Sequence, residues 1–155
     1  MLRLCVLTLL LLGAPARAVD FAINAGALEV VLLPPAHGGF YPYLGVSFAV
    51  PMGHDVTFIG SVSYEWSFDQ QRGGLVVVAT LDFLVNEHLG IDLNLAFIHD
   101  QPGLRFAEAD FFLGAGPGFS LLFGKWAISP FLNLFGGLRT DSASLVPGVN
   151  VSRAF

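Results

Sequence analysis

Charged side chains are scarce in this chain of 155 residues. Asp, Glu, Lys and Arg make up 12% of the sequence, whereas hydrophobic residues make up 54%. Proteins contain about 25% charged residues on average, so a soluble domain of this composition would have too little charge to cover its surface. The seven Lys and Arg and the net charge of −5 also exclude the basic patch that nucleic-acid binding requires. The composition is ordinary only for a membrane protein, and the length suits one domain.

Cysteine is missing after residue 5, and the first 18 residues indicate export. Arg3 precedes an apolar run over residues 4–12, and Ala16-Arg17-Ala18 forms a small-x-small cleavage site. This pattern is typical of a secretory signal peptide, and the run is shorter than the roughly 20 residues that a spanning helix needs. We therefore predict a signal peptide over residues 1–18 and one domain over residues 19–155. Because Cys5 lies in the signal, the exported domain has no disulfide to stabilise it.

Helical periodicity is also missing, and strict alternation takes its place. In residues 55–69 the even positions are apolar or aromatic apart from one glycine, and the odd positions are polar apart from Ile59. A period of two indicates a β-strand with one apolar and one polar face. Such stretches, separated by turn residues, predict eight strands. They span residues 20–33, 40–50, 55–69, 75–85, 89–98, 105–123, 125–139 and 145–155.

Three places depart from simple alternation. Residues 20–33 alternate poorly, which a β-bulge would explain. Residues 99–103, His-Asp-Gln-Pro-Gly, predict a loop because of their Pro and Gly. Residues 114–118, Gly-Ala-Gly-Pro-Gly, lie inside the sixth strand and indicate a kink or a barrel corner there, not a phosphate-binding loop.

Strand length and face composition predict a barrel that crosses a membrane. Strands of about 10 residues suit a tilted crossing of the bilayer, and unpaired edge groups in lipid force the sheet to close. The polar face is rich in Gly, Ala and Ser, which suit a narrow interior, whereas the other face has more Leu, Val and Phe than a small interior could hold. The predicted fold is all-β, an eight-stranded antiparallel up-and-down transmembrane β-barrel. The alternative is a soluble lipocalin-like carrier with its apolar face inside.

Aromatic residues on the apolar face favour the membrane interpretation. If the strands alternate in direction from a periplasmic N-terminus, Tyr64 and Trp66 approach one rim, and Trp126 and Phe155 approach the other. Two aromatic girdles are typical of the two bilayer interfaces. We therefore predict these four side chains as membrane-interface residues.

The signal peptide, the eight amphipathic strands, the short turns and the terminal Phe155 together resemble the small bacterial outer-membrane β-barrels of the OmpX and OmpA-barrel type. The resemblance covers the whole domain and is one of pattern, without a specific motif. It implies the outer membrane of a Gram-negative bacterium, membrane lipid as a partner, and insertion by the barrel-assembly machinery through a last strand that ends in Phe. Val149 and Val151 match that strand, whereas Arg153 replaces an apolar or aromatic residue. We expect a monomer with no nucleic-acid partner and no cofactor.

Charged side chains on the predicted inner face are the candidate site residues. They are Glu65, Asp82, Asp92, Glu108, Asp110 and Arg139. A symmetric turn over residues 86–88 would place Asp82 opposite Asp92, and facing carboxylates would share a proton or hold a cation. The alternative for all of these residues is ordinary solvated polarity, which is the rule inside such barrels.

Two further cross-strand pairs follow from assumed turns. A turn at Phe123-Gly124 would place Glu108 opposite Arg139, with Asp110 one step further in, so that a salt bridge plugs one rim. A symmetric turn over residues 51–54 would place Glu65 opposite Tyr41. Both pairs depend on turn geometry, which sets the register of a hairpin.

No catalytic or metal-binding motif is evident. The four histidines, at positions 37, 54, 88 and 99, fall in turns or at strand ends. His99 comes near the rim that Ser67 and Glu65 approach, but those residues lie on another strand and face the opposite way, so a Ser–His–carboxylate set is not indicated. Metal-ligand spacings and nucleotide fingerprints are absent. The sequence predicts a non-enzymatic barrel with a polar lumen filled by side chains and a structural or interaction role. The alternatives are a narrow cation-preferring pore and a lipid-modifying enzyme.

Overall fold

The computed structural model describes residues 19–33, 39–67, 72–102, 110–138 and 143–155. Within these ranges the alternating stretches form eight antiparallel strands, each paired with the next, and the first strand pairs with the last to close a barrel. The strands are β1 Asp20–Leu33, β2 Gly39–Pro51, β3 Val56–Ser67, β4 Arg72–Asn86, β5 Leu89–Pro102, β6 Asp110–Phe123, β7 Trp126–Gly137 and β8 Ala143–Ala154. The predicted all-β antiparallel barrel is confirmed. Among the described residues, no helix has the length and apolarity to cross a membrane.

The strand register determines the tilt of the barrel. Following cross-strand partners from Ala22 through all eight strands leads back to Leu32, a stagger of 32 − 22 = 10 residues. A stagger of this kind requires strands that tilt by roughly 35–45° from the barrel axis. The shortest strands have 12 residues. At about 3.3 Å per residue and a tilt near 40°, such a strand spans about 30 Å, the thickness of the hydrocarbon core.

The faces of the strands sort as the alternation predicts. On β5, Ile91, Leu93 and Leu95 are 53%, 54% and 54% exposed, whereas the intervening Asp92 and Asn94 are 5% and 8% exposed. The apolar face is therefore the outer face and the polar face lines the lumen. The lipocalin-like alternative, which needs the opposite arrangement, is wrong.

The first described residue, Val19, and the last residue, Phe155, lie at the barrel end that carries the shortest turns. The β4–β5 and β6–β7 connections there are two-residue turns, Glu87-His88 and Gly124-Lys125. Gly124 has φ of 62°, a left-handed conformation that glycine adopts without steric cost. At the same end, the Phe155 amide donates to the Phe21 carbonyl at 3.1 Å and joins the last strand to the first.

Glycines on the inner face make room for the large side chains of the lumen. Tyr43 lies over Gly26, Phe131 over Gly148 and Phe135 over Gly114, and a β-carbon at each glycine would collide with the ring. The interior of an eight-stranded barrel is only wide enough for side chains, so large and small residues must alternate across it.

Strand β1 is regular although its sequence pattern is not. Its register with β2 and with β8 is constant over all described pairs, so the bulge predicted for it is wrong. The pattern is blurred because Leu28, which is 4% exposed, faces the lumen, while Glu29 is exposed on the outer face. Leu28 belongs to a small apolar cluster with Tyr41 and Val76.

Two other irregular places also form continuous strand. The loop predicted at residue 99 is wrong, because β5 continues to Pro102 and pairs there with Arg72; Gly103 lies outside the described residues. Strand β6 runs unbroken through residues 114–118 and keeps a single register with β5. The glycine run therefore does not interrupt the strand, and its inward positions instead lie under side chains of β5 and β7.

Replacing Gly116 tests how tightly the lumen is packed. A β-carbon at this position would collide with the Leu132 carbonyl and the Asn133 backbone, which flexible side-chain movement cannot relieve. We expect Gly116→Ala to lower the free energy of unfolding by about 1–3 kcal/mol, measured by urea unfolding in phospholipid vesicles. Gly136→Ala is the matched control, because Gly136 is exposed and has no atom near its β-carbon position. Equal stability of the two variants would contradict this account of the packing.

Candidate functional site

The inner faces of the strands enclose a cavity of about 150 Å³ in the lumen. Both apolar and polar side chains line it. The polar ones are Asn24, Tyr43, Ser47, Ser61, Ser63, Thr80, Asp82, Asp92, Asn94, Ser120, Ser129, Asn133, Asn150 and Ser152. A cavity of this size with polar groups on its wall holds several water molecules, and it is the candidate functional site.

The only carboxylates in the described wall of this cavity, Asp82 and Asp92, face each other. They are 8% and 5% exposed. Their pairing follows from a bulge between Leu84 and Asn86, because the two-residue turn alone would give a different register. Cross-strand neighbours on one face have β-carbons about 4.5–5.5 Å apart, so two buried carboxyl groups share one small space.

Hydrogen bonds satisfy only some of the oxygens of these two carboxyl groups. The Ser120 hydroxyl donates to Asp92 Oδ2 at 2.8 Å and lies 2.9 Å from the Ser129 hydroxyl. The Oδ1 atoms of Asp82 and Asp92 are buried and have no hydrogen-bond partner. In the described part of the chain, neither carboxylate forms a salt bridge. Because isolated buried charge is costly, this pair is poorly compensated by the described residues around it.

The other lumen side chains bond to one another across strands. The Asn24 amide donates to the Ser63 hydroxyl at 3.2 Å, and the Thr80 hydroxyl donates to Asn94 Oδ1 at 2.7 Å. The Tyr43 hydroxyl donates to the Val149 carbonyl at 3.2 Å and lies 3.3 Å from Asn150 Oδ1. These bonds span from β1 to β3, β4 to β5 and β2 to β8, so they tie side chains across the interior.

Glu65 has a different cross-strand partner from the predicted one. It pairs with Tyr43, not Tyr41, because the β2–β3 connection is longer than a symmetric turn over residues 51–54. The Met52 amide donates to the Val56 carbonyl at 2.8 Å and closes a wider turn. Glu65 itself is 3% exposed and faces the lumen.

The predicted rim salt bridge lies outside the described residues. Glu108 and Arg139 are not among them, and for Asp110 only the backbone is described, paired with Asp100. The turn assumed for this pair is wrong by one residue. Phe123 pairs with Trp126, so the turn is Gly124-Lys125 and not Phe123-Gly124.

The predicted interface aromatics lie on the outer face near the two ends. The loop end is the barrel end opposite the two-residue turns. Tyr64 is 45% exposed towards this end, and Trp66 lies beside it over Gly73. At the short-turn end, Trp126 and Phe155 are 51% and 66% exposed. The Arg153 guanidinium lies 5.5 Å from the Trp126 ring centre, a cation–π geometry that accounts for a charged residue in the last strand.

Alternation also predicts Phe97 towards the rim that Tyr64 and Trp66 approach, but it does not group His99 and Phe111 with it. The rings of Phe97 and His99 lie 5.7 Å and 4.9 Å from the ring of Phe111. His99 and Phe111 are cross-strand partners. The signal for this group is the alternation, which continues beyond residue 98, although the Pro and Gly that follow predict the end of the strand.

The geometry does not assemble a catalytic triad around His99. The His99 ring packs with the outer-face aromatics, whereas Glu65 and Ser67 are buried on the inner face. His54 and His88 lie in exposed turns beside Asp55 and Glu87, and His37 lies outside the described residues. No group of three or more His, Cys, Asp or Glu suited to a metal occurs among the residues that the structure describes.

Neutralising one member of the carboxylate pair tests its electrostatics. We expect Asp82→Asn to raise the free energy of unfolding by up to about 1 kcal/mol in chelator-containing buffer, because facing like charges destabilise a sheet. Urea unfolding in phospholipid vesicles measures the change. The control is Asp55→Asn, which removes the same charge from an exposed turn and should have no effect. A loss of stability in Asp82→Asn alone would contradict the repulsion.

No family model matches the chain, and no curated protein sequence matches it. Solved structures do match its fold. Ail, the attachment invasion locus protein of Yersinia pestis, has a TM-score of 0.55 at 14% identity, covering 88% of this chain and 97% of its own. Neisserial surface protein A has a TM-score of 0.54 at 14% identity, covering 92% of this chain and 100% of its own.

The N-terminal β-barrel domain of Pseudomonas aeruginosa OprF is similar to the same extent. It has a TM-score of 0.54 at 15% identity, covering 86% of this chain and 97% of its own. At such low identity the likeness concerns the fold. That fold is the closed eight-stranded antiparallel β-barrel of these outer-membrane proteins, and this chain shares it together with an apolar outer face.

Proposed function

We propose that this barrel has a structural or interaction role in the outer membrane and that its lumen is closed by side chains. The observation that carries the proposal is the small lumen cavity of about 150 Å³. The inward rings of Phe131 and Phe135 lie over glycines and fill part of the interior, and Tyr43 bonds across it to β8. We infer that a lumen packed in this way leaves no continuous path for water, so that transport is not its task.

The outer surface supports lipid and assembly machinery as the partners. Large apolar side chains are exposed on the outer face of every strand, which suits direct contact with acyl chains. The last strand ends with the exposed Phe155 next to β1, where the assembly machinery would recognise it. The protein acts as a monomer in this proposal, because the closed ladder leaves no edge strand for another copy.

An interaction role also agrees with the names of similar structures. Ail is named for attachment and invasion, and the neisserial protein is named a surface protein. In this chain such contacts would involve the loop end of the barrel, opposite Val19 and Phe155. No catalytic activity is part of the proposal, since His99 and the inward Ser67 and Glu65 lie on opposite faces.

The second candidate is a narrow cation-preferring pore. Asp82 and Asp92 on the wall of the cavity favour it, because rings of carboxylates select cations in channels. The two candidates differ in whether the space between the inward side chains is continuous from one end to the other.

Conductance in planar lipid bilayers separates the closed barrel from the pore. We expect the inserted protein to give no steady current steps, because side chains block the lumen. A variant with Phe131→Ala and Phe135→Ala, which removes two inward rings, is the comparison and should conduct more readily. Steady cation-selective steps from the unmodified protein, reduced by Asp82→Asn, would establish the pore and contradict the closed lumen.

A further inference from the structure

The lumen cavity presents hydrogen-bond acceptors that lack donors. Four side-chain oxygens on its wall are buried without a hydrogen-bond partner. They are Asn24 Oδ1, Asp82 Oδ1, Asp92 Oδ1 and Asn133 Oδ1. Among the described residues, no buried side-chain nitrogen is left in the same state. Buried polar atoms are nearly always satisfied, so an occupant of this cavity must supply positive charge or donated hydrogens.

The carboxylate pair defines the charge of that occupant. Ser120 donates to Asp92 Oδ2 at 2.8 Å and so fixes the orientation of this carboxylate. Its cross-strand partner Asp82 places a carboxylate oxygen over Gly90 of the same strand as Asp92. Two carboxylates without a salt bridge match a divalent cation in charge. Hard divalent cations, Ca²⁺ and Mg²⁺, prefer ligands of this kind, and Mg²⁺ in particular keeps several of its waters.

Asn133 gives an independent indication of the occupant. It is 3% exposed, is not acidic, and faces the same cavity from β7. Its Oδ1 has no hydrogen-bond partner and lies close above Gly116, which has no side chain to satisfy it. An unpaired amide oxygen accepts hydrogens, so it suits the water shell of an ion. The cavity of about 150 Å³ has room for several such waters.

We propose that Asp82 and Asp92 bind one hydrated divalent cation in the lumen. The carboxylates are the charged ligands, and water on the ion donates hydrogens to Asn133 Oδ1 and Asn24 Oδ1. The ion replaces the missing counter-charge and links β4 and β5 to β7 and β1 across the interior. The ion site depends only on the described lumen residues. It does not depend on the proposed structural role.

Ion uptake by the detergent-refolded full barrel tests the site. Protein treated with EDTA and then dialysed against Ca²⁺ or Mg²⁺, each alone, should take up one ion per chain with saturation. At an ion concentration about 100 times its Kd, the folded-to-unfolded ratio should rise about 100-fold over that in EDTA. Atomic emission measures the stoichiometry, and urea unfolding measures the ratio.

Three variants distinguish ion binding at the carboxylate pair from nonspecific attraction of ions to the negative charge of the protein. Asp82→Asn and Asp92→Asn should each weaken uptake by about tenfold or more, because ligand charge sets the affinity. Asp55→Asn removes an exposed charge and should bind like the unmodified protein. Circular dichroism confirms that each variant is folded.

Several results would overturn the site. The first is the lack of saturable uptake of either ion by the unmodified protein, which needs no variant. Uptake that persists in both Asp82→Asn and Asp92→Asn would place the ion elsewhere. The lack of any effect of either ion on the stability of the unmodified protein would likewise overturn the site, whatever the stability of Asp82→Asn in EDTA.

Discussion

The backbone hydrogen-bond ladder is the constraint on which the rest of this structure depends. In the hydrocarbon core no water can bond to a free N–H or C=O, so every strand needs two neighbours. Pairing of β1 with β8 meets that requirement, and the ten-residue stagger of the closed ladder determines the tilt. Eight tilted strands then leave a narrow interior. The narrowness explains both the inner glycines and the small cavity beside the carboxylate pair.

Closure of the barrel also gives each strand two different environments, lipid on its outer face and a narrow polar lumen on its inner face. Lipid requires apolar side chains outside, as Leu93 and Leu95 show, while the intervening Asn94 must find partners in a space with little water. Most inner polar groups meet that demand across strands, as Thr80 does with Asn94. Asp82 and Asp92 do not, since each has a buried oxygen without a partner. Among the described lumen residues, this pair is therefore the place where buried carboxylate oxygens of two neighbouring strands face each other without a donor.

The positions of the strands and the faces of their side chains could be predicted from the sequence, because both follow from alternation with a period of two. An error of one or two residues at a strand end does not change that alternation. Register could not be predicted, because it depends on turn geometry. A symmetric turn predicts Tyr41 as the cross-strand partner of Glu65, but a wider turn makes Tyr43 its partner. Asp82 was correctly assigned to Asp92, but the bulge between Leu84 and Asn86 makes that pairing, not a symmetric turn. The Ser120 hydrogen bond to Asp92 was missed, since it depends on the packing of a third strand.

Membrane residence is the central claim, and gel mobility with and without heating tests it most directly. A closed transmembrane barrel refolded in detergent resists the denaturing detergent of the gel until it is boiled. We expect the unheated protein to migrate differently from the boiled protein and to need detergent for solubility, because its apolar face is outside. Identical migration before and after boiling, together with solubility in detergent-free buffer, would contradict the account.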